Sequence, residues 1–192
     1  MRPRQVSPFL QILSRPGLSI HFRSTHAFST TSSHQLSNRV YNPIRTPPQF
    51  HDYLRTASAS NTLLLLLFTT SACAPCRTIT PLLTELVTHR SPSPSDRFSA
   101  LSFAEVELDS ADTSNGNITD LGVEYGITSM PTLVGFGGRR AERVTERLVD
   151  TRLMSDRGKL GAWVDEVMEK GDPNATGGTG GKGAGLLSKL FG

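Results

Sequence analysis

The succession of apolar and amphipathic segments predicts an α/β fold, in the order β-α-β-α-β-α-β-β-α. Three observations carry this. Thr62–Phe68 is a near-continuous apolar run, the pattern of a strand covered on both faces of a sheet. Ile79, Leu82, Leu83, Leu86 and Val87 then recur at helical spacing. Further on, Gly137-Gly138 separates two strand-like runs, a hairpin signal that adds an antiparallel edge.

Each element has its own reason. Residues 39–44 read as a short edge strand. Thr46-Pro47-Pro48 opens a helix: Thr46 is a candidate N-cap, prolines suit the first turn, and Phe50, Tyr53 and Leu54 share a face. After the strand Thr62–Phe68 comes a turn containing Cys73-Ala74-Pro75-Cys76, then the second helix, which Pro81 should kink. Ser91–Asp96, alternating serine with proline, is a loop. Ala100–Leu108 alternates Leu101, Phe103, Val106 and Leu108 as a strand, and a polar loop, Asp109–Gly116, follows. Ile118–Tyr125 is a short helix ended by Gly126. Thr132–Phe136 is a strand, Gly137-Gly138 a tight turn, and Arg140–Leu148 a second, more polar strand. Leu160, Trp163, Val164, Val167 and Met168 define a closing amphipathic helix, with Trp163 in the core.

The charge is divided unevenly. The 192 residues carry 20 Lys+Arg and 17 Asp+Glu, a formal +3. Residues 1–51 hold six arginines (Arg2, Arg4, Arg15, Arg23, Arg39, Arg45) and no acid, whereas residues 52–192 hold 14 basic and 17 acidic side chains. The basic charge therefore sits in a Ser/Thr-rich leader, which argues against nucleic-acid binding. No apolar stretch approaches the ~18–20 residues that span a bilayer, so no membrane partner is expected.

Residues 1–35 have the acid-poor, arginine- and serine-rich composition of a disordered mitochondrial transit peptide. A secretory signal needs an apolar core, and Phe9–Leu13 is short and broken by Gln11. Arg23–Thr31 resembles a presequence processing region, with cleavage between about Ser24 and Ser29. The competing reading is a basic arm that stays attached. Cutting near Ser29 would remove four arginines and leave a near-neutral chain of about −1. Residues 38–170 then form the folded domain. Residues 171–192, with eight glycines in 22 positions, read as a flexible tail. Their Gly-Gly-Thr-Gly-Gly-Lys run lacks the spacing, and the Ser or Thr after Lys182, of a phosphate-binding loop.

The chemistry points to Cys73 and Cys76, the two cysteines of the chain, which form one Cys-x-x-Cys between a buried strand and a helix. A helix N-terminus stabilises thiolate, the nucleophile of disulfide exchange. Cys73 at the turn should expose its sulfur. Cys76, one turn into the helix, should be shielded and resolve a mixed disulfide on Cys73. Other readings stand beside this. Zinc needs about four ligands, and only His89 is near in sequence. A structural disulfide closing so short a loop is a weak staple. Two plain buried cysteines are the third.

Thr62–Leu86 with Cys73-Ala74-Pro75-Cys76, together with Met130-Pro131-Thr132-Leu133-Val134-Gly135-Phe136, resembles the thioredoxin family over residues 38–170. The resemblance implies a thioredoxin fold, a central mixed β-sheet flanked by helices. It implies that Cys73 attacks and Cys76 resolves, and that Pro131 is cis with the Met130 backbone pairing to substrate. Ala74 and Pro75 would touch the substrate as well. Departures are visible. Ala72 and Thr69 stand at tryptophan positions of the family, and Ala74 replaces its glycine. Leu67 replaces its buried aspartate, and Glu105 replaces the lysine on the neighbouring strand. Thr145–Arg157 is longer than the family minimum. Glu105 is therefore a candidate proton relay, against the plainer reading of a solvent-facing strand residue.

The expectation is a protein-disulfide reductase that uses no metal or organic cofactor. It would act as a monomer on disulfide-containing proteins, take electrons from a reductase or small thiol, and reside in the mitochondrial matrix. The alternative is a peptide-binding module on the same fold with little turnover. Asp150, Asp156, Asp165, Glu166 and Glu169 read as a solvated helix face, and Arg139, Arg140, Arg143 and Arg147, alternating with Glu142 and Glu146, as paired surface charge. Asn117-Ile118-Thr119 and Asn174-Ala175-Thr176 match the glycosylation pattern, which a matrix protein would not use.

Overall fold

The structure is a computed structural model, and it describes residues 37–112 and 116–171. The leader 1–35 and all of the tail beyond Gly171 lie outside the described residues. The elements run β1 (Arg39–Val40), α1 (Pro47–Ala59), β2 (Thr62–Thr69), α2 (Cys76–His89), β3 (Ala100–Glu107), α3 (Thr119–Glu124), β4 (Thr132–Gly137), β5 (Glu142–Arg143), α4 (Thr151–Met154) and α5 (Arg157–Lys170).

They form a five-stranded mixed sheet in the order β1-β3-β2-β4-β5. β1, β3 and β2 are parallel, while β4 runs antiparallel to both β2 and β5. The expected α/β class with a central mixed sheet and flanking helices is the observed one. β2 lies at the centre, and Leu63 through Phe68 are all fully buried. Odd positions Leu63, Leu65 and Leu67 pack on Ile79, Leu83 and Val87 of α2 and on Leu160, Val164 and Val167 of α5. Even positions Leu64, Leu66 and Phe68 pack on Phe50, Leu54 and Ala57 of α1 and on Leu121 of α3. Burying each such side chain is worth ~1.5–3 kcal/mol, which is why a run of six specifies the middle of the sheet.

Local chemistry sets the helix ends. Thr46 is the N-cap of α1, and the Gln49 side-chain oxygen accepts from the backbone of Arg45 and Thr46 at 2.8 and 3.2 Å. Asp150 and Asp156, read from sequence as part of a solvated acidic face, are the N-caps of α4 and α5. Each carboxylate accepts two backbone N–H groups of its own helix. Gly126, just past α3, has φ +62°, a conformation that favours glycine.

The hairpin differs from the sequence expectation. β5 spans two residues rather than Arg140–Leu148, and the turn is wider than Gly137-Gly138, since Gly137 lies in β4. The cause is Thr145. Its hydroxyl accepts the Gly135 N–H at 2.8 Å, where a continuing strand would offer a backbone carbonyl. A Cβ on Gly135 would come within 2.9 Å of the Thr145 methyl, so the close approach needs glycine. Pairing resumes at Leu133 and Leu148, an isolated bridge. Thr145–Arg157 also contains α4, a single turn without enough length to show periodicity.

Candidate active site

The site lies where β2 ends and α2 begins. β2 delivers the chain at Thr69, a tight turn follows with the Cys73 N–H donating to the Thr70 carbonyl at 3.0 Å, and α2 starts at Cys76. Pro75 is the N-cap, with φ −63° already helical, and its carbonyl accepts from Thr78 and Ile79. Pro81 lies inside α2.

Cys73 and Cys76 form a disulfide, with Cα atoms 5.4 Å apart. Two expectations need correction. Cys76 is the first helical residue, not one turn in, because Pro75 initiates the helix. Cys73 is also buried rather than open: it is 8% exposed against 3% for Cys76. The neighbouring Ala72, Ala74 and Pro75 take the exposed positions of the turn.

Met130–Pro131 is a cis peptide. β4 pairs Thr132 with Phe68 of β2, which puts Pro131 at the register position beside Thr69, at the end of the sheet from which the cysteine turn leaves. Met130 is 38% exposed, whereas Pro131 is buried. The Thr132 hydroxyl ties this turn by donating to the Ser129 carbonyl at 2.6 Å. Val149, also an exposed apolar residue, lines a small cleft with Thr128, Thr132 and Arg147. Arg147 donates to the Tyr125 and Gly126 carbonyls instead of a glutamate, unlike Arg140 and Arg143, which do lie near Glu142 and Glu146. Ala74, Pro75, Met130 and Pro131 thus flank one end of the sheet.

On the other side of the disulfide is a cleft of about 460 Å³, lined by both cysteines, Arg77, Thr80, Glu105, Glu107 and Asp109 among others. Glu105 is half-buried here, because position 105 shares the inward face of β3 with Leu101 and Phe103, so it is not a solvent-facing strand residue. Its carboxylate accepts from the Thr80 hydroxyl at 2.5 Å. Asp109 accepts from Ser71 through both N–H and hydroxyl, at 2.8 and 2.5 Å, and these bonds hold its carboxyl below the usual carboxylate range. Thr80, Ser71 and Asp109 were missed in the sequence. Thr80 follows Cys76 by four residues in a helix, the one signal that could have found it. Among the described residues, no group of three or more His, Cys, Asp or Glu side chains could hold a metal ion. No helix among them is long and apolar enough to cross a membrane.

A family model described as Thioredoxin matches residues 44–156, more than half of the chain. The chain belongs to the thioredoxin family. A "Thioredoxin H-type" of Fagopyrum esculentum is 29% identical over 100 residues, covering 52% of this chain and 73% of the relative. The solved thioredoxin NaTrxh from Nicotiana alata has a TM-score of 0.50 at 17% identity, covering 69% of this chain and 96% of that one. Thioredoxin O2 from Arabidopsis thaliana, solved oxidised, has a TM-score of 0.48 at 21% identity, covering 71% and 99%. The thioredoxin fold expected from the two separated motifs is the fold found. Family membership and the Cys73–Cys76 disulfide together support thiol–disulfide oxidoreduction as the chemistry of this site.

Proposed function

We propose that this thioredoxin-family chain is a protein-disulfide reductase. The observation that carries the reading is the Cys73–Cys76 disulfide at the first turn of α2, at the same end of the sheet as the cis Met130–Pro131 turn. In the reduced form Cys73 is the attacking thiol and Cys76 resolves, the roles that these two positions of the motif have in the family. An extended substrate segment would pair with the Met130 backbone, with Ala74 and Pro75 on its other side. Substrates are then disulfide-containing proteins, and electrons come from a reductase or a small thiol to a monomeric chain. Reduction of insulin disulfides by the full chain, with Cys73→Ser as control, tests this. Activity should vanish in Cys73→Ser, and equal activity in both would remove the reading.

A binding module with little turnover is favoured by the apolar Leu67 and by Ala72. It predicts that the unsubstituted chain captures peptides but leaves insulin intact. Cys76→Ser, by stalling the mixed disulfide, would identify the partners. The acid-free, arginine-rich leader supports a mitochondrial matrix location. Import of the full chain into isolated mitochondria should give a shortened, protease-protected product, and an unprocessed, protease-sensitive chain would refute it.

A further inference from the structure

Three acids line the cleft beside the disulfide, and each has its own partner, an arginine for Glu107 and uncharged groups for Asp109 and Glu105. Glu107 pairs with Arg45 at 2.7 Å, and Asp109 is held by Ser71. Glu105 is placed differently. Its hydrogen-bond partner is the neutral hydroxyl of Thr80, and its register neighbour on β2 is the apolar Leu67. Thr80 lies four residues after Cys76 in α2, so the two side chains stack on one helix face. The Glu105 carboxylate is thereby held by α2 within the cleft that Cys76 also lines. The charged groups around it are Arg77 from α2, Glu107 from β3 and Asp109 beyond it, with Arg45 committed to Glu107.

We propose that Glu105, positioned by Thr80, accepts the proton of the Cys76 thiol in the second half of disulfide reduction. The inference rests on the reductase reading. In the first half, the Cys73 thiolate attacks the substrate disulfide. One Cys73–substrate S–S bond forms, the substrate S–S bond breaks, and one substrate thiolate leaves. In the second half, Cys76 gives its proton to Glu105 and its thiolate attacks Cys73 Sγ. The Cys73–Cys76 bond forms, the mixed disulfide breaks, and a second substrate thiolate leaves and is protonated. Two electrons pass from the dithiol to the substrate. A carboxylate matters at this step because Cys76, 3% exposed, has little access to water as a base. Thr80 is a positioning residue, since its hydroxyl orients the carboxylate.

The test is a single turnover of the reduced full chain with a nitroaryl disulfide that releases one coloured thiolate per half-reaction. Glu105→Gln should leave the first release unchanged and slow the second on the order of 100-fold near neutrality. The slowed release should then climb with pH and approach the unsubstituted rate by about pH 9, where an ordinary thiol, with a pKa near 8.5, loses its proton unaided. Glu105→Asp should recover part of the loss. Thr80→Val should give a smaller slowing of the second release with the same pH slope. Equal second-release rates in Glu105→Gln at every pH, or equal slowing of both releases, would overturn the assignment. If the unsubstituted chain released neither thiolate, the reductase reading itself would fall, and the relay with it.

Discussion

On the α1/α3 side of the sheet, β2 contributes Leu64, Leu66 and Phe68, β3 contributes Ala104 and Val106, and Leu108 keeps the face apolar beyond the strand end. On the α2/α5 side the same strands begin alike, with Leu63, Leu65 and Leu67 beside Leu101 and Phe103. There the β3 face changes at Glu105, and Glu107 and Asp109 continue the polar stretch into the cleft that holds both cysteines. The two faces share backbone, twist and register, and only their side chains separate them. One face is packing throughout. The other is packing at one end and chemistry at the other, so the place where charged side chains enter the alternation marks the site. A half-buried carboxylate costs stability that a leucine would not, and this cost is confined to the end where a thiol must lose a proton.

The largest effect should come from the packing face. Phe136 is 1% exposed and meets Tyr125 and Phe50 edge-on, with ring centroids 5.3 and 5.9 Å apart. Phe136→Ala removes both contacts and leaves a cavity, and should cost about 4 kcal/mol. Urea denaturation should show a lower midpoint at an unchanged slope. Disulfide reduction per folded molecule should be unaltered, because this face carries none of the reacting groups. A slower reaction in the folded fraction would break the division between the two faces.

That division was partly legible in the sequence. Thr62–Phe68 announced a strand buried on both sides, and the two cysteines followed by Met130-Pro131-Thr132 announced the site, because these are local patterns. What stayed hidden depends on contacts between distant residues. The hydroxyl of Thr145 displaces strand pairing at Gly135, ten residues away in sequence. Thr80 meets Glu105 across 25 residues and Ser71 meets Asp109 across 38. The burial of Cys73 depends on how the loop settles against the cleft, which no periodicity encodes. Glu105 was placed by the resemblance alone. Alternation over Leu101 and Phe103 gives its face, but does not say that α2 supplies a hydroxyl opposite it.

The smaller effect should come from the far end of the chemical face. Arg90 caps α2 at the end opposite Cys76, and it donates to both oxygens of Asp96 at 2.7 Å and to Asp165 at 2.8 Å. The Arg90 and Asp96 side chains are only 10% and 5% exposed. Asp96→Ala leaves a shielded guanidinium with one exposed partner and should cost about 2 kcal/mol near pH 7. The bonds from Arg90 hold the Asp96 carboxyl below its ordinary value, helped by the Ser93 N–H. An acid depressed in the folded state stabilises fully above its unfolded pKa, ~3.9, and loses that contribution as pH falls through the folded value. The gap between Asp96→Ala and the unsubstituted chain should therefore be constant from pH 5 to 7, and should narrow only under stronger acid. Urea midpoints across that range measure it, and a gap that widened on acidification would contradict the pairing. The first thiolate release from Cys73 should be unchanged in the same variant, since the pair braces one end of α2 and the exchange occurs at the other. A slowed first release would mean that α2 transmits the loss along its length, and that the packing and chemical ends of this face are one unit.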